Sequence, residues 1–235
     1  GSIENDIEYA TIKNATIGVL VEGNQAEVTD KLTIANSQIY NSSAFGILGR
    51  ATSITAENVV LNNSGQSSVA LTAGGDYNFT HCTIANYWNN SFREFPALLV
   101  NDFLQREDGS FETNPLTAAN FNNCIIYGND NPEFLLEDLG EVFNFKFNNC
   151  LLRFDNSTLE DTQNYMFDNT TFYEGNVFNE DPDFQDPFLN LMRIGENSDA
   201  IGIGSDSFII MNDILGATRM SPPDAGAYNS TIFED

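Results

Sequence analysis

Positive charge is scarce in this chain. Only 9 of its 235 residues are Lys or Arg, against 34 Asp or Glu, which leaves a formal charge of −25. A field of that sign repels nucleic acid and anionic membrane surfaces, so neither is expected as a partner. It also disfavours polyanionic glycans unless a bound cation intervenes. Cysteine is rarer still. The three present, Cys82, Cys124 and Cys150, cannot all pair, and they show neither the CxxC spacing of a zinc site nor the density of a disulfide scaffold. No apolar run is long enough to cross the membrane or to act as a secretion signal, so no membrane insertion is expected of this stretch. Stretches with a sustained 3.6-residue period are almost absent, which argues against a helical fold. What the chain does have is 41% hydrophobic residues, with 19 Phe, and this excludes a disordered chain.

The sequence repeats. "FNNC" occurs in "NFNNCIIYGN" (120–129) and again in "KFNNCLLRFD" (146–155). The wider template is an apolar residue, two residues, a small residue or Cys, one residue, and a second apolar residue. It matches Ile7/Ala10/Ile12, Ile34/Ser37/Ile39, Ala56/Val59/Leu61, Phe79/Cys82/Ile84, Phe121/Cys124/Ile126, Phe147/Cys150/Leu152 and Phe167/Thr170/Phe172, with successive starts 27, 22, 23, 42, 26 and 20 residues apart. Asparagine follows at Asn14, Asn41, Asn63 and Asn86, and slightly later at Asn129 and Asn176. Asn tolerates the left-handed backbone of a turn, and stacked Asn residues can form a hydrogen-bonded ladder. Short apolar runs, "GVLVEG", "GILG", "SVALTAGG" and "PALLV", follow the early turns. These features predict an all-β solenoid of about seven coils stacked at ~4.8 Å, with the three cysteines on one inward line as small buried hydrophobes.

The residues resemble the right-handed parallel β-helix proteins of the pectate-lyase-like superfamily, and more narrowly the uncharacterised β-helix surface proteins and lipoproteins of Bacteroidetes. The C-terminal stretch carries the more specific match: "NEDPDFQDPFLNLMRIGENSDAIGIGS" (179–205) and "DILGATRMSPPDAGAY" (213–228). It is similar to an ending of the form DPxF, SPAIGxG, DxxGxxR and DIGAY. Asp199 stands where that pattern has Pro, and Ala225 where it has Ile. The resemblance implies coils over 3–178 with an insertion at 86–115, and a capping segment over 179–235. Gly1-Ser2 reads as a cloning remnant. The patterned sequence starts at once after it, so the chain is expected to be the C-terminal part of a longer solenoid whose uncovered N-terminal edge can self-associate.

The long interval is the place to look for function, because excursions from a regular scaffold carry binding residues. Tyr87, the single Trp88 and Phe92 offer faces for a sugar ring, and Arg93 and Arg106 can bond hydroxyls or carboxylates. A β-helix lyase needs a Lys or Arg base beside a cation. Lys13, Lys31 and Lys146 fall in separate coils with no Arg in register, so that signature is missing. A glycoside hydrolase needs two converging carboxylates, for which Asp102 with Glu137 or Asp138 are the candidates, because "LLVND" and "FLLED" look like equivalent strands. Asp181, Asp183 and Asp186 could hold calcium; no other cofactor is expected. The lone His81, next to an inward Cys82, is expected at a surface or edge. The combined expectation is an exported, cell-surface module that binds polysaccharide or is structural. The alternative is a polysaccharide-degrading lyase or glycoside hydrolase whose active coils lie partly upstream.

Overall fold

The computed structural model describes residues 2–23, 30–140, 142–155 and 163–233. A ten-stranded and a seven-stranded sheet carry the fold. Their strands pair in parallel, each segment with its equivalent one rung further along the chain. In the larger sheet Asn5–Glu8, Leu32–Ala35, the second half of Phe45–Glu57, that of Val69–Thr80, Leu116–Asn122, Lys146–Asn148 and Tyr173–Glu174 follow one another. In the smaller sheet the order is Thr11–Lys13, Gln38–Ser42, Val60–Ser64, Thr83–Asn86, Ile125–Gly128, Leu151–Leu152 and Val177–Phe178. Non-local parallel pairing of this kind is consistent with a β-solenoid. Ala51 at φ 47° and Ala73 at φ 58° break the two long strands. Their first halves join Ile17–Glu22, Leu98–Asn101 and Phe134–Glu137 in a further run of the larger sheet.

The register follows the sequence template for six of its seven copies. Ile7, Ile34, Ala56, Phe79, Phe121 and Phe147 lie side by side. The last copy does not fall at Phe167. Phe147 pairs with Tyr173 and Leu152 with Phe178, so the final rung is Tyr173/Asn176/Phe178. The template was too permissive there: residues 166–173 form hydrogen-bonded turns, and Phe167 packs edge-on against Tyr173 at 4.9 Å. The corrected rung extends an aromatic stack, with ring centroids 5.4 Å apart for Phe79–Phe121, 4.9 Å for Phe121–Phe147 and 5.5 Å for Phe147–Tyr173.

The second Asn of "FNNC" makes the corner between the sheets. Asn123 and Asn149 both have φ 52°, as does His81, and Tyr9, Asn36 and Asn58 take the same left-handed conformation. This line of corner residues is distinct from the expected ladder, of which Asn14, Asn41 and Asn63 are left-handed while Asn86, Asn129 and Asn176 are not. The residue after each corner faces the core. The Cys124 sulfur accepts the Cys82 N–H at 3.4 Å and the Cys150 sulfur accepts the Cys124 N–H at 3.4 Å. Ser37 Oγ does the same for Ala10, and Asn176 Oδ1 for Cys150. Each thiol also reaches the carbonyl two residues before it. Burial pushes the Cys82 and Cys124 thiols well above the usual cysteine range, so both remain protonated donors. Cysteine is therefore more than a small hydrophobe here: it satisfies a buried backbone N–H on the neighbouring rung.

Residues 180–233 run along the outer face of the smaller sheet. Tyr40, Val60, Ala85, Ile125 and Leu151 on the smaller sheet are covered by Met192, Ile194, Ala200, Ala225, Ala227 and Tyr228. The corner asparagines fasten the same segment. Asn123 accepts the Ser205 N–H, Asn149 donates to the Ile203 carbonyl and Asn58 to that of Asn212. Arg219 is buried and donates to Asn58 Oδ1 and to the Gly226 carbonyl. Gly226, at φ 88°, lies so close to Ile125 and Thr83 that a side chain would collide with both. The conspicuous C-terminal motif thus serves attachment of the segment to the coils.

The corner hydrogen bonds are testable. Cys124→Ala leaves the Cys82 N–H without its acceptor and is expected to lower stability by about 1–3 kcal/mol. Cys124→Ser, which writes the residue found at Ser37, should retain most of it. Equal losses for the two variants in urea unfolding would assign the effect to packing alone.

Candidate functional site

The excursion after Asn86 divides into a loop at the flank and a hairpin. Asn86 starts the loop: its buried amide accepts the Ser64 and Trp88 N–H groups and donates to the Ser64 and Gln66 carbonyls. Arg93 then ties the loop down. Its guanidinium makes a bidentate pair with buried Glu133, 2.7 Å to each oxygen, and a further ion pair with Asp130 at 2.7 Å. Glu133 also accepts the Ala97 and Asp130 N–H groups. Burial pushes the Glu133 carboxyl up, opposed by the guanidinium and these two donors; burial acts to lower Arg93, but the two carboxylates together outweigh it, raise the guanidinium and keep it charged. Gly128 leaves the space that the Glu133 carboxylate occupies. Arg93 is thus committed to structure and is not free for a ligand.

The other expected ligand residues are dispersed. Tyr87 lies edge-on to Phe184 and Phe188 at 6.2 and 5.7 Å, beneath the C-terminal segment. Phe92 is 88% exposed and lines none of the cavities described below. Arg106 is in the hairpin Phe103–Gln105/Phe111–Thr113, paired with Glu112 at 2.7 Å on the surface. Only Trp88 enters a shared site.

That site is an open groove of about 640 Å³, lined by Asn14, Asn41, Asn63, Asn89, Asn90 and Asn190 together with Ser43, Trp88, Phe188 and Leu189. Its floor is the left-handed asparagine line, where Asn41 donates to Asn14 at 3.4 Å. Asn190 closes over that line. It accepts from Asn63 at 2.8 Å and Asn62 at 3.1 Å, and donates to Asn41 at 3.2 Å. Asp186 accepts the Leu189 N–H and so shapes the turn that projects Phe188 and Leu189. The Trp88 indole N–H is held by Ser91 Oγ at 2.9 Å. Planar amides offer donors and acceptors together, and the aromatic rings offer flat apolar faces. Sequence reasoning found Trp88 and the Asn line but missed Phe188 and Asn190, which come from the far end of the chain.

No protein-family model, curated protein or solved structure matches the chain. The site is therefore read from its own chemistry.

Two of the three carboxylate candidates have other work. Asn101 pairs with Glu137, so "LLVND" and "FLLED" are equivalent strands as expected. Asp102 is fully buried, however, and its two oxygens accept the Leu139 and Gly140 N–H groups at 2.9 and 2.7 Å. Asp138 accepts from Asn164 at 2.7 Å. Glu137 is half-buried and its carboxyl is pushed up by burial. Of the proposed calcium ligands, Asp181 accepts the Asp183 N–H, Asp183 accepts the Asn197 N–H, and Asp186 caps the turn. No cluster of three or more His, Cys, Asp or Glu arranged to hold a metal occurs among the described residues. No helix among them is long and apolar enough to cross a membrane.

His81 departs from its expected surface position. Its corner does point it out of the core, but the flanking segment covers it completely. Nε2 lies 3.0 Å from the Asn123 amide nitrogen, which makes it the acceptor and leaves the ring neutral. Burial, with the neighbouring Arg219 guanidinium, lowers its pKa from 6.5 to about 3.

Two outcomes follow. Arg93→Ala strands Glu133 in the interior and is expected to destabilise by about 3–5 kcal/mol in chemical unfolding. For His81, the unfolded chain takes up a proton below pH 6.5 while the folded chain does not until about 3. Stability should therefore fall as the pH is lowered through that window, by at most about 1.4 kcal/mol per pH unit from this residue. His81→Asn, the residue at the equivalent corners, should make the urea midpoint less acid-sensitive than in the parent. An unchanged slope would place the sensitivity elsewhere.

Proposed function

We propose that this chain is an exported cell-surface module that binds glycan in the asparagine-lined groove. The observation that carries the reading is the convergence of six asparagines with Trp88 and Phe188 on one open groove. Sugar rings present hydroxyls around an apolar face, which amides and aromatic rings match together. The reading takes the fold as a right-handed parallel β-helix of about seven coils, of the pectate-lyase-like type. The uniform parallel pairing and the aromatic stack support it. A binding role is preferred to glycan cleavage because Asp102 and Asp138 are tied up in hydrogen bonds of the scaffold.

The test is a glycan array combined with a reducing-end release assay, on the parent chain and on Trp88→Ala. Binding without release, weakened about tenfold or more by the substitution with unfolding unchanged, is the expected result. Release of reducing or unsaturated ends would replace the module by an enzyme.

A further inference from the structure

In so acidic a chain the positions of unpaired cations are informative. Arg50, Arg93, Arg106 and Lys146 are engaged in ion pairs. Arg153 bonds the Asp130 carbonyl and lies over Tyr127, and Arg219, in the C-terminal segment, is buried against Asn58 of the coils. Lys13, Lys31 and Arg193 form no ion pair among the described residues, and two of these, Lys13 and Arg193, converge. They come from opposite ends of the chain yet line the same cavity of about 630 Å³. No Asp or Glu lines it, although the chain has 34 of them. The cavity adjoins the asparagine groove and shares Asn41, Leu189 and Asn190 with it.

Both cations are held on strands. Leu191–Ile194 buries Met192 and Ile194, and strand alternation turns Arg193 to the open side. Lys13 ends the strand Thr11–Lys13, whose rung neighbour is Tyr40. Behind them Gln38 donates to the Tyr228 hydroxyl at 2.9 Å and fixes a polar wall. At physiological salt, screening acts over about 8 Å, so distant carboxylates do little to an anion seated here. Arg supplies a planar fork for a carboxylate or sulfate, and Lys a point charge.

We infer that this cavity is an acidic-sugar subsite of the groove, in which Lys13 and Arg193 hold a carboxylate or sulfate ester carried by the glycan. The inference rests on the glycan-binding reading of the adjoining groove.

The experiment is an array of neutral, uronate-bearing and sulfated oligosaccharides, followed by titration of the members that bind. Acidic members should bind about tenfold or more tighter than neutral members of the same backbone, and the advantage should shrink as salt rises. Lys13→Gln and Arg193→Gln should each reduce it, while Lys31→Gln, with the same change in net charge, should not. Preference for uronate members over sulfated ones identifies the carboxylate, and the reverse identifies the sulfate ester. Equal binding of neutral and acidic members, weakened by Trp88→Ala, overturns the acidic subsite and leaves the groove as a glycan site. Binding of no member overturns both.

Discussion

A stacked rung can turn only where its backbone accepts a left-handed residue and its buried N–H still finds an acceptor. In this chain one short stretch meets both demands. At four steps between rungs a corner residue, Asn36, Asn123, Asn149 or Gly175, takes positive φ, and the side chain that follows it, Ser37, Cys124, Cys150 or Asn176, accepts the N–H of the preceding rung. A buried N–H left unpaired is costly, which favours a side-chain acceptor at this position. Register follows from it. Once the corners are aligned, the positions on either side are aligned too, and the Phe79–Phe121–Phe147–Tyr173 stack lies on one side of them.

The corner has a second consequence, on the outside. Its side chains project away from the core with amides free to bond whatever lies there. The smaller sheet beside them presents apolar residues outward, which would be exposed without a cover. Residues 180–233 meet both conditions: their apolar side chains pack on the sheet and their backbone bonds the corner amides. Arg219 of the cover and His81 of the coils are buried where the two meet, and burial disfavours the charged form of each.

The groove arises where coil and cover meet. The coils contribute Asn14, Asn41 and Asn63, the excursion contributes Trp88, and the covering segment contributes Phe188 and Asn190. The buried Arg93–Glu133 pair holds the excursion in place, so the arginine closest in sequence to the site supports it without lining it. The cations that reach the adjoining cavity belong to other elements, Lys13 on a coil strand and Arg193 on the cover. Acidic side chains dominate the charge of the chain but are absent from the walls of both cavities.

Much of the scaffold could be read from the sequence. The repeat, the parallel rungs, the inward cysteines and the left-handed Asn14, Asn41 and Asn63 follow from residue type and spacing, because stacking imposes one local environment on every rung. The last rung was misread because an apolar-small-apolar pattern also fits a turn, and only strand pairing distinguishes Tyr173 from Phe167. The site was far less legible. Trp88 could be picked out as the single indole in the longest excursion. The roles of Arg93, Asp102 and His81 depend on what other segments bring against them, and so do the positions of Asn190 and Arg193. Periodicity is a local property that a sequence carries in itself. The meeting of residues at opposite ends of the chain is decided by how the C-terminal segment folds back on the coils, and only the tertiary structure contains that.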